Sequence, residues 1–166
     1  MSSRRFVPVA AALAALACAS GGGEAVFDGR LPEGRLSAPL SALATRATLA
    51  DGEEFRVVEV GRDAASSHHV VAIRTGETPH RHDRHDLLVV MLEGHGTWRL
   101  GDETRAVGEG SILYVPRGTV HAFRNASAAP AKAWAVYFPP FDGTDRALVD
   151  DDGDALVDDD EDAPAD

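Results

Sequence analysis

From Phe55 onward, short apolar stretches alternate with polar turn signals along the chain. The segments "FRVVEV" (55–60), "VVAIR" (70–74), "LLVVML" (87–92), "TWRL" (97–100), "TRAV" (104–107), "SILYV" (111–115), "TVHAF" (119–123) and "AWAVYF" (133–138) are mostly rich in β-branched and aromatic residues. That pattern predicts about eight strands. "EGHG", "GDE", "GEG", "PRG" and "NASAAPA" separate them as turns. No long amphipathic helix intervenes, so the expected class is all-β, an antiparallel sandwich or small barrel, not alternating β and α units. Residues 24–50 mix Pro, Gly, Ala and Leu without a clear period and leave room for one short helix in "SALATRATLA".

The two ends differ from this centre. "MSSRR" followed by the twelve residues "FVPVAAALAALA" has the form of a secretory signal, because the apolar run is too short to span a bilayer. Cys18, the only cysteine, follows at once, and "ALAC" resembles the lipobox of bacterial lipoproteins. The expectation is a signal peptide over 1–17, lipidation of Cys18, and an exported protein anchored in the membrane, facing the periplasm or cell exterior. "ASGGG" then reads as a flexible tether, and 18–50 as the anchored linker. A single cysteine excludes an intramolecular disulfide. At the other end, "ALVDDDGD" and "ALVDDDED" form a tandem repeat of eight within a segment, 147–166, that holds ten acids and no Lys or Arg. Residues 142–166 therefore read as an acidic, disordered tail. Removing those ten charges from the net −11 leaves −1 for residues 1–146, so the chain without the tail is nearly neutral. No basic stripe supports nucleic-acid binding.

Candidate chemistry is concentrated in "ETPHRHDRHD" (77–86), which holds three of the seven histidines. Side chains at i and i+2 of an extended segment share a face, so His80 and His82 point the same way. A second stretch, "GSILYVPRGTVHAFRN" (110–125), carries His121 after the "PRG" turn and brings a third imidazole from a separate strand. With a carboxylate, three imidazoles make a nitrogen/oxygen set suited to one divalent transition metal: Fe, Mn, Co, Ni, Cu or Zn. The remaining histidines have plainer readings. His95 lies between glycines as a solvated loop residue, and the pair His68 and His69 reads as surface. Asn125 braces a turn, while Trp98, Tyr114, Phe123, Trp134 and Tyr137 read as core or cavity wall.

The second stretch reads G-x5-P-x-G-x2-H-x3-N through Gly110, Pro116, Gly118, His121 and Asn125, and it resembles the second signature motif of the cupin superfamily at every fixed position. The first stretch resembles the first cupin motif, G-x5-HxH-x3/4-E-x6-G, through His80, His82, an acid and Gly94. The resemblance implies an antiparallel jelly-roll barrel over 51–141 with a metal inside and coordination positions open to water, substrate or O₂. Counting forward from His82 makes Asp86 the acid; counting back from Gly94 falls on Leu87. A one-residue bulge would reconcile the two counts. Asp86 is the expected fourth ligand beside His80, His82 and His121, with His85 or a site of the three histidines alone as the alternatives. The function implied is a metal-dependent enzyme acting on a small molecule, such as a dioxygenase or isomerase. The alternative is a non-catalytic cupin that binds or senses a small molecule or the metal itself. A homodimer is compatible with the sequence.

Overall fold

The structure, a computed structural model, describes residues 24–150. The proposed signal, Cys18 and most of the acidic repeat therefore lie outside the described residues. All eight expected strands are present: β3 (Phe55–Arg62), β4 (Ser67–Ile73), β6 (Asp86–Glu93), β7 (His95–Leu100), β8 (Glu103–Gly108), β9 (Ile112–Val115), β10 (His121–Asn125) and β11 (Ala131–Phe138). Four more were not expected: β1 (Val26–Leu31), β2 (Gly34–Pro39), and the two-residue strands β5 (His80–Arg81) and β12 (Ala147–Leu148). One short helix, α1, covers Leu40–Ala44.

Two five-stranded sheets, β12-β5-β10-β7-β8 and β3-β4-β11-β6-β9, form the jelly roll, and every strand pairing is antiparallel. Between the sheets, Val71 and Ile73 of β4, Leu87, Val89 and Met91 of β6, and alternate alanines of β11 meet Trp98 of β7 and Phe123 of β10. The intervening residues of the same strands face outward yet are also buried: Val70, Ala72, Leu92, Trp134 and Val136 form a second apolar layer. Its cover is the β1–β2 hairpin and α1. Leu43, Ala44 and Ala47 are fully buried there, and Phe27 stacks on Trp134 with centroids 4.4 Å apart. Residues 24–50 are thus the outer wall of the domain rather than a linker. A sheet that is apolar on both faces must bury both, and this segment supplies the second surface.

The tail boundary moves as well. Residues 142–150 were expected in the disordered tail, but Asp145 and Val149 are buried and β12 pairs with β5. The first "ALV" of the tandem repeat therefore belongs to the barrel.

Candidate metal centre

The turn that delivers His121 depends on Gly118. Its φ of +76° lies in the left-handed region that favours glycine, and its N–H donates to the His82 carbonyl at 2.7 Å. The chain then enters β10 with His121 directly opposite His80 of β5. His82 follows two residues after His80 on the same face. The three imidazoles converge with ring centroids 4.3 Å apart for His80 and His121, 5.3 Å for His82 and His121, and 5.2 Å for His80 and His82. One nitrogen from each lies within 4.8 Å of the other two, and all three residues are buried.

Each ring has one nitrogen committed. Nδ1–H of His80 donates to the Thr78 carbonyl at 2.9 Å, and that of His121 to the Thr119 carbonyl at 3.1 Å. His82 Nδ1–H donates to the carbonyl of Asp145. Carbonyls only accept, so the proton must sit on Nδ1 and the lone pair on Nε2. The Nε2 atoms of His82 and His121 are buried without any hydrogen-bond partner. The Arg146 guanidinium stands 3.4 Å from His80 Nδ1, longer than the Thr78 contact that fixes the tautomer.

Burial keeps the rings neutral. Desolvation, then the charge of His121, pushes His80 down to about 2. Desolvation, helped by the charges of His82 and Arg146, outweighs the Thr119 hydrogen bond and holds His121 at about 4, and desolvation also lowers His82. Neutral imidazoles with a bare Nε2 are the form that binds a metal.

Asp86 does not join them. Its carboxylate accepts from the Arg117 backbone N–H at 2.9 Å and from the guanidinium at 2.8 Å, which holds its carboxyl near 2. The anticipated bulge is present, but it lies beyond both candidate positions: the register shifts between Met91 and Glu93, opposite Ala133 and Lys132, whereas Asp86, Leu87 and Leu88 pair with Phe138, Tyr137 and Val136 without a break. Parity therefore turns Asp86 outward and Leu87 inward, where it lines the cavity. The acid place counted back from Gly94 is thus filled by an apolar side chain. His85 is no substitute, because both its nitrogens are taken. Nδ1 donates to the Asp145 carboxylate at 2.5 Å, and Nε2 lies 3.2 Å from the Pro140 carbonyl.

Beside His80 and His121 a cavity opens between the sheets, walled mainly by apolar side chains including Leu87, Met91, Trp98 and Phe123. The cavity volume is about 50 Å³, which suits a small ligand. Glu77 is the one carboxyl among its lining residues. Burial raises it to about 7, against the opposing pull of Arg146. Tyr137 also lines the cavity, edge-on to His82 at 5.2 Å, and burial pushes its phenol up so that it stays protonated.

Sequence reasoning missed Glu77 and Asp145. Glu77 reaches the cavity because its N–H pairs with the Phe123 carbonyl, a contact across 46 residues with no local signature. His69 was expected at the surface, but β4 turns it inward and it is buried, whereas His95 is exposed. Tyr114, expected in the core or cavity wall, is 55% exposed on β9. Asn125 braces the turn after β10 through Arg74, Ala129 and Ser127.

Comparison with known proteins agrees with this architecture. The cupin domain model matches residues 67–137. An uncharacterized protein of Aquifex aeolicus (strain VF5) is 35% identical over 98 residues, which span 59% of this chain and 80% of that protein. The chain belongs to the cupin superfamily. Among solved structures, TT1209 from Thermus thermophilus superposes with a TM-score of 0.53 at 25% identity, over 58% of this chain and 94% of that one. A Klebsiella pneumoniae protein with a double-stranded β-helix domain shares the fold at a TM-score of 0.56 and 19% identity, over 65% and 94% of the two chains.

Proposed function

We propose that the chain is a metal-dependent cupin enzyme acting on a small molecule, with one divalent transition metal held by Nε2 of His80, His82 and His121. The observation that carries this reading is the state of the three rings: every Nδ1 donates to a carbonyl, and the buried Nε2 atoms of His82 and His121 have no partner. Leaving buried polar atoms unpaired costs about 1–3 kcal/mol each, which a coordinated metal would offset. Three neutral imidazoles suit Fe, Mn, Co, Ni, Cu or Zn and leave the metal its full charge. When bound, it would act as a Lewis acid or O₂ activator with positions open to the cavity.

The rest of the chemistry belongs to the chain. Leu87, Trp98 and Phe123 give the cavity apolar walls, so polar interactions within it are strengthened. Glu77, with its carboxyl near 7, can hold or release a proton close to neutral pH, and Tyr137 can donate a hydrogen bond. This pairing favours an enzyme over a passive binding protein, because simple binding needs no carboxyl poised near neutrality.

The test starts from metal-loaded protein and a panel of small carboxylate, hydroxyl and amine compounds. Turnover of any panel member that disappears in Glu77→Gln, with metal content kept, is the expected result. Binding without turnover in both proteins would move the reading to a receptor or sensor.

A further inference from the structure

Two of the three candidate ligands are oriented locally, while the third is not. His80 and His121 are fixed by carbonyls two residues upstream, but His82 is fixed by Asp145, 63 residues away. The Asp145 carboxylate also builds the turn that follows His82. It accepts the N–H groups of Asp83 at 2.9 Å and Arg84 at 2.8 Å, and Nδ1–H of His85.

Around it, residues 142–149 form a strap across this turn. Arg84 reaches Asp142 at 2.6 Å and Thr144 at 3.0 Å. β12 pairs with β5, and the Val149 N–H donates to the Pro79 carbonyl at 3.0 Å. Burial pushes the Asp145 carboxyl up, but its hydrogen bonds to His85, Arg84 and Asp83 together outweigh that and hold it low, as a carboxylate.

We infer that Asp145 is a positioning residue of the metal centre, which sets the tautomer and orientation of His82 by docking the 142–149 strap. The inference rests on the metal-site reading above. Without the strap, His82 can place its proton on either nitrogen and its ring is free to turn, so a ligand is lost part of the time. Coupling runs both ways: a metal bound only in the docked state stabilises docking by the same factor.

The experiment uses the full chain and Co²⁺ as probe, with affinity measured by competition against a chromophoric chelator. The His82 Nδ1–H is followed separately by ¹⁵N NMR of the metal-free protein. Asp145→Ala should lose the protected His82 Nδ1–H signal and bind Co²⁺ about 10–100-fold more weakly. Asp145→Asn, which keeps an acceptor oxygen for the turn, should fall between the two and serves if the alanine variant does not fold. Trp134→Ala, which weakens the barrel on its far face, should melt early but keep wild-type affinity well below its melting point. The inference is overturned if both Asp145 variants keep the signal or bind Co²⁺ within about twofold of wild type. Wild type that fails to bind Co²⁺ at the three histidines would overturn the metal-site reading and this inference together, whereas unchanged Asp145 variants overturn the inference alone.

Discussion

At the level of single residues, parity decides which acid can serve the site. Asp86 and Leu87 are neighbours on β6, and the strand period gives one to Arg117 and the other to the cavity. Asp86→Ala should therefore leave metal content unchanged and, as only an exposed ion pair is lost, shift the melting temperature little. A loss of metal equal to that of His121→Ala would restore Asp86 as a ligand. The buried histidines also set a pH dependence. His80 and His121 titrate at about 2 and about 4 in the folded chain, below the value of 6.5 expected when unfolded. The unfolded chain therefore binds protons first, and stability is lost as pH falls below about 6.5. For metal-free protein this amounts to roughly 2 kcal/mol per histidine by pH 5. Urea midpoints between pH 7 and 5 measure it, and His121→Leu should flatten the slope; an unchanged slope would show that other groups dominate.

Among the elements, the eight strands of the centre were legible because runs rich in β-branched and aromatic residues are bounded by turn residues there. The site was partly legible: His80, His82 and His121 carry a local spacing, and the structure brings them together. What escaped has a physical reason in each case. β5 and β12 are two residues long, too short to show a period, and they form only because they pair with each other and with β10. The hairpin and α1 were read as linker because their own sequence is aperiodic, yet a signal lay elsewhere. "LLVVML" and "AWAV" are apolar at both parities, which marks strands covered on both faces. Trp134→Ala tests that second layer. Removing a side chain packed under Phe27 should cost about 3–5 kcal/mol, read as a lower denaturant midpoint with metal content kept. A cost below about 1 kcal/mol would mean that the hairpin contributes little.

For the whole molecule, a barrel lies between two ends of different character. The reading of the N-terminus as an export signal with a lipid on Cys18 is a proposal about residues outside those described. Cys18→Ser should release the protein from the membrane fraction, and wild type found already soluble would contradict it. The C-terminus divides at the strap: through Val149 it is bonded to the barrel beside His80. The central claim, that His80, His82 and His121 hold one metal, is tested most directly by elemental analysis of protein purified without a His tag, beside His121→Ala prepared in the same way. The expected result is close to one transition-metal ion per chain in wild type and little in the variant, with chelator lowering the wild-type melting temperature towards that of the variant. Equal metal content in the two proteins, or wild type that takes up no transition metal and melts unchanged with chelator, would contradict it.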